Sequence, residues 1–161
     1  MERPNKSSFA AGFGFGTTSG VITTLGLIIG LATATQSLTA VIGGILAVAV
    51  TDAFSDSLGM HVSEELNSGN SGAWSATIST FISKLVIALT FLIPFFVFGI
   101  TTAVVICVIW GLLIITILSY YLAKKEKKPV WEVVGEHILI TLVVIIVTRL
   151  IGLGIEKYLK N

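Results

Sequence analysis

Long apolar runs separated by short polar breaks organise this chain from end to end. One helix needs about 20 apolar residues to cross a hydrocarbon core about 30 Å thick. The pattern predicts five such spans, at 14–34, 38–63, 76–97, 101–123 and 133–154. TQSL is a tight connection between the first two, and EELNSGNSGAW, residues 64–74, is the most turn-rich stretch and predicts a short exposed loop. The apolar run from Ala76 to Ala123 is too long for one crossing, so it folds back near Pro94 to Thr101, where Pro and Gly end a helix. KKEKKPVWE, with Pro129, breaks the chain before the last span. The runs are continuous and do not alternate, which excludes a transmembrane β-barrel. The expected fold class is an all-α integral membrane protein, with residues 1–161 forming a single transmembrane domain.

Composition agrees. Of 161 residues, 54% are hydrophobic and 12% charged, and the mean hydropathy is +0.96; a soluble domain is nearer a quarter charged. The expected surroundings are a lipid bilayer, with no separate soluble domain. A formal charge of +1 singles out no partner, and no nucleic-acid partner is expected. The start, MERPNKSSFAAGFGFG, lacks the basic stretch, apolar core and cleavage site of a secretory signal, so it is expected to be a mature cytoplasmic end. Basic residues point the same way: Arg3, Lys6, Lys124, Lys125, Lys127 and Lys128 fall on one side, against Lys157 and Lys160 on the other. The N-terminus is therefore predicted inside and the C-terminus outside. Trp74, Tyr120, Tyr121, Trp131 and Tyr158 lie near the span edges, as interfacial aromatics do. Trp110 does not, and packing is its only account. The single cysteine, Cys107, sits in an apolar run as a small buried hydrophobe and forms no internal disulfide.

Glycines mark the first span. Gly12, Gly16 and Gly20 recur every fourth residue, and Gly26 and Gly30 repeat the spacing. In lipid, a stripe of small residues lets another helix approach closely, within the chain or across a dimer.

The second span carries the charge. In VTDAFSDSLGMHVSEE, Val50 to Glu65, Asp52, Asp56, Met60 and Glu64 recur every fourth residue. The predicted topology turns them into a ladder running from mid-membrane to the inner surface in steps of about 6 Å. An aspartate at a helix centre costs about 2.5 to 3.5 kcal/mol on insertion scales. These carboxylates must therefore be protonated, paired with a cation of the protein, or bound to a cation that moves. Lys84, in ISKLVIAL of the third span, is the protein cation within reach, expected toward the cytoplasmic half. For a moving cation, carboxylate oxygens suit a divalent ion and the thioether of Met60 adds preference for a transition metal, Fe²⁺ or Mn²⁺. His61, Glu65, Glu136 and His137 lie near the same inner ends and are candidates for collecting metal there, with Glu132 read as interfacial charge. Arg149 is read as snorkelling outward.

SGVITTLGLIIGLATA (Ser19 to Ala34), SDSLGMHVSEE (Ser55 to Glu65), FLIPFFVFG (Phe91 to Gly99) and the closing ILITLVVIIVTRLIGLG resemble the vacuolar iron transporter family. The resemblance implies a five-helix homodimer that exports Fe²⁺ or Mn²⁺ from the cytosol in exchange for protons. It places the ion path at or near the subunit interface and needs no permanently bound cofactor. It implies a plasma-membrane location in a prokaryote and a vacuolar or similar membrane otherwise. Three features depart from the family. Ser19 precedes Gly20 where the family has an aspartate. The second-span positions that often carry glutamate and methionine read Val48 and Asp56, with a carboxylate at Asp52 instead. Only Glu64 to Ala76 stands where several members carry a metal-binding insertion. Two other functions remain open, the same fold carrying another ion or solute and a non-transporting membrane scaffold. No constellation of nucleophile, base and oxyanion donor suggests an enzyme.

Overall fold

The computed structural model describes residues 6–159, apart from the side chains at 6 and 68–71. Arg3 and Lys160, two of the residues used to orient the chain, fall outside the described residues. The helices are α1 (Lys6–Thr35), α2 (Leu38–Thr90), α3 (Ile93–Val97), α4 (Ile100–Glu126) and α5 (Val130–Leu159), with no strand among the described residues. Five helical stretches are long and apolar enough to cross a membrane: Ser7–Thr35, Leu38–Asn67, Gly72–Val97, Ile100–Glu126 and Val130–Leu159.

Straight, the 53 residues of α2 would reach about 80 Å, far beyond one bilayer. They fold back instead. The His61 and Trp74 rings lie 4.9 Å apart, the Phe54 and Phe81 rings likewise, and His61 Nδ1 meets Thr77 Oγ1 at 2.8 Å. These pairs close symmetrically, so α2 is an antiparallel hairpin whose corner lies between His61 and Trp74. An exposed loop was expected over 64–74. The chain does reverse there, but helical backbone reaches the corner from both sides, because Glu64, Glu65 and Leu66 favour helix.

Each connection has a local cause. Gln36 takes a left-handed conformation (φ 51°) and donates its N–H to Ala32 O at 3.1 Å, ending α1. Ser37 then caps α2, its Oγ accepting the Ala40 N–H at 3.2 Å. Pro94 stands in the first turn of α3, where no helical N–H is lost, and the extended Phe98 and Gly99 lead into α4. Lys127 (φ 55°) closes α4 before Pro129.

Packing centres on α1, which touches both limbs of α2, α4 and α5. It begins at Lys6, eight residues before the apolar window opens, because it is held there by packing against the return limb of α2 rather than by hydropathy. A Cβ on Gly12 would stand 2.9 Å from Ala76 Cα, and one on Gly16 would stand 3.0 Å from Thr80 Cα. Gly20 faces the Lys84 backbone, and Gly26 meets Val144 and Thr148 of α5. The glycine stripe is thus filled by helices of the same chain. Thr80 Oγ1 fastens the contact by donating to Gly12 O at 3.1 Å.

The halves of the bundle differ. The half holding the start of α1, the α2 corner and the α4–α5 connection is here called inner. The large apolar core (Leu25, Ile28, Val41, Ile45, Phe91, Phe95) lies in the outer half, where α1 ends. Trp110, unaccounted for by its position, donates its indole N–H to Thr90 Oγ1 at 3.0 Å.

A candidate ion site at the middle of the bundle

Polar residues of three of the five spans meet at nearly the same depth. Asp52 is at the midpoint of Leu38–Asn67, Lys84 at the midpoint of Gly72–Val97, and Ser19 two residues from the midpoint of Ser7–Thr35. Lys84 had been expected nearer the cytoplasmic half. Its span begins earlier than the apolar run suggests, which puts the ammonium at mid-depth.

The α2 hairpin brings Lys84 against both aspartates, and α1 supplies the serine. Lys84 is 1% exposed. Its Nζ donates to Asp56 Oδ2 and, at 2.9 Å, to Ser19 Oγ, while Asp52 Oδ2 lies 3.1 Å away. Ser19 Oγ in turn donates to Asp56 Oδ2 at 2.6 Å. The directions are consistent: Ser19 accepts from the ammonium and passes its own proton toward the carboxylate. Two carboxyl groups thus share one lysine amine. The side chains of Asp52 and Asp56 remain 32% and 23% exposed, so the cluster is open on one flank while its cation is sealed.

The rest of the expected ladder does not converge here. Four residues of helix turn about 40° beyond a full turn, so twelve carry Glu64 about 120° around from Asp52. Met60 and Glu64 are half-buried, and neither has a polar partner among the described residues; Glu65 and Glu136 are exposed. No group of three or more His, Cys, Asp or Glu able to hold a metal occurs among the described residues. His61 and His137 are engaged separately. Thr77 Oγ1 already donates to Ala73 O at 2.7 Å, so His61 Nδ1 must carry the proton it shares with Thr77, leaving Nε2 with a free lone pair. His137 Nδ1 meets Ser119 Oγ of α4 at 2.7 Å. Glu132 is exposed, as its reading as interfacial charge requires.

Sequence reasoning missed Ser19 as a participant, treating it only as the residue standing where a carboxylate was expected. Its mid-span depth, shared with Asp52 and Lys84, was the signal. Also missed were the buried hydroxyls leading to the cluster: Thr17, Ser57, Thr80 and Ser83 all lie within the inner half or at mid-depth. Thr17 and Thr24 Oγ1 have no hydrogen-bond partner among the described residues. Thr18 and Thr23, their neighbours, donate to the carbonyls four residues back, as membrane threonines ordinarily do.

A scan against protein-family models finds no match, and searches of curated proteins and of solved structures return no similar protein. The likeness to the vacuolar iron transporter family rests on the sequence stretches alone.

Proposed function

We propose that this protein is an ion transporter in which Asp52 and Asp56 form the cation site and Lys84 is a tethered cation that occupies it between transport events. The observation that carries this reading is Lys84 itself, buried at mid-depth between two carboxylates of the hairpin's other limb. Ionisable residues at that depth mark ion pathways, and transporter sites lie near the midplane. A divalent ion entering between the carboxylates takes over the attraction that holds the ammonium. If Lys84 gives up one proton as the ion enters, charge at the site rises by one unit and a proton leaves for each ion. That is the stoichiometric core of an antiporter. Fe²⁺ or Mn²⁺ is the proposed cargo, exported from the cytosol by a homodimer with its N-terminus inside. The half-buried Met60 and Nε2 of His61, four and five residues from Asp56, both lie little more than one turn toward the inner end, where an arriving ion would first meet soft ligands.

A second reading treats the cluster as a fixed ion pair in a non-transporting membrane scaffold. It is favoured by the complete engagement of Lys84, whose ammonium meets Ser19, Asp56 and Asp52 at once.

Proteoliposomes separate the two. With an acidic exterior or interior imposed, wild-type protein should move Mn²⁺ or Fe²⁺ against the proton gradient, and Asp52→Asn and Asp56→Asn should each abolish the flux. Normal flux in both variants refutes the proposed site. Loss of assembly in those variants, with no divalent flux in the wild type, supports the scaffold.

A further inference from the structure

Arg149 is a charged residue that the midplane cluster does not use. It lies on α5 in the outer half, level with the Gly30 turn of α1, since Gly30 packs against Thr148 and Gly152 against Thr33. It has no hydrogen bond or ion pair with any described residue, and neither has Glu156, seven residues further out. Both line one groove of about 530 Å³ between α1, α4 and α5. The volume is that of an ordinary ligand site.

The groove is graded by depth. Its inner floor is apolar, made by Ile29, Val108 and Ile145. Arg149 follows one turn beyond Ile145, and Glu156 and Gln36 stand at the outer mouth, where α1 has ended. Along α5, Glu156 is about 10 Å outward of Arg149. A membrane-embedded groove opening at that depth meets lipid, and its chemistry runs apolar, cationic, anionic from the bilayer interior outward. A phospholipid with a primary ammonium headgroup presents the complement in the same order: acyl chain, phosphate, ammonium.

We propose that this groove binds one aminophospholipid. Its acyl chain lies on Ile29, Val108 and Ile145, its phosphate is held by the Arg149 guanidinium, and its ammonium by the Glu156 carboxylate. Arginine suits the phosphate because its planar fork bonds two oxygens at once. Glu156 sets the headgroup preference, because a primary ammonium donates hydrogen bonds to it and a quaternary one cannot. Snorkelling alone explains why Arg149 reaches outward. It does not explain why an unpaired glutamate shares the groove.

The test is native mass spectrometry of the full chain released from nanodiscs of equal parts phosphatidylethanolamine, phosphatidylcholine and phosphatidylglycerol. Wild-type protein should retain one phosphatidylethanolamine per chain. Arg149→Gln should lower retention of every phospholipid by about tenfold, and Arg149→Lys should restore part of it. Glu156→Gln should keep total retention but lose the preference for phosphatidylethanolamine over phosphatidylcholine. Val108→Trp, which fills the floor without touching a charge, should displace the lipid and decides the matter if Arg149→Gln does not fold. Three results overturn the proposal: equal retention in wild type and Val108→Trp, a preference for phosphatidylglycerol, or efficient disulfide cross-linking of two chains through Val105→Cys. The last would mean that a second copy fills the groove.

Discussion

The inner and outer halves of the bundle solve the same packing problem with opposite chemistry. In the outer half, Leu25 and Ile28 of α1 pack with Val41, Ile45, Phe91 and Phe95 in a large apolar core whose one buried polar neighbour among the described residues is Thr24, near mid-depth. In the inner half, the glycine stripe of α1 meets a return limb of Ala76, Ser79, Thr80 and Ser83, whose buried side chains are small or hydroxylated. Lys84 sits where the two regimes meet. Apolar packing contributes little against lipid, which is itself apolar, so close approach at the glycine stripe and hydrogen bonds such as Thr80 to Gly12 hold the inner half together. The cluster of Asp52, Asp56, Lys84 and Ser19 thus lies between a hydroxyl-rich seam on one side and the apolar core on the other.

Substitutions on the two sides should therefore fail differently. The largest effect is expected from Lys84→Met, which leaves two carboxylates facing each other and should cost about 3 to 5 kcal/mol in detergent unfolding. Adding Asp56→Asn should recover much of that loss; no recovery would mean that Lys84 acts through packing. Phe91→Ala in the outer core should cost about 3 kcal/mol, yet proton-driven flux per folded molecule should stay near wild type. Reduced flux at equal protein would blur the proposed division. Gly16→Leu drives a side chain into Thr80 and should cost about 2 kcal/mol, while Gly14→Ala, whose Cβ meets nothing within 4 Å, should be neutral or stabilising. Equal losses at both positions would show that the stripe is not a close contact. Ser19→Ala should be mildest in stability, about 1 kcal/mol for one hydrogen-bond partner, with a shift in the pH dependence of flux that Thr18→Ala does not share.

Much of the architecture is written in hydropathy, because a helix crossing lipid must be apolar over a length fixed by the bilayer. The reversal at 64–74 was equally plain from its turn residues. Less legible were the ends of the helices. Ser7 to Phe13 is not strongly apolar, and its helix depends on a return limb more than sixty residues away. The cluster was half legible: periodicity aligned Asp52 with Asp56, and Lys84 stood out as an intramembrane charge. Periodicity alone does not bring Met60 and Glu64 into the cluster, because slow drift around a helix separates residues that share a four-residue repeat. Ser19 was overlooked because its one signal, a depth shared with Asp52 and Lys84, shows only when the spans are compared side by side.

In the proposed mechanism, Lys84 and the cargo compete for the same two carboxylates. Calorimetric titration of Mn²⁺ into purified wild-type protein and into Lys84→Gln, which removes the charge and shortens the side chain by one atom while keeping a polar end, tests it most directly. Competition predicts that Lys84→Gln binds Mn²⁺ about tenfold more tightly or better, and that the gain vanishes when Asp56→Asn is added. Unchanged or weaker binding in Lys84→Gln would contradict the account.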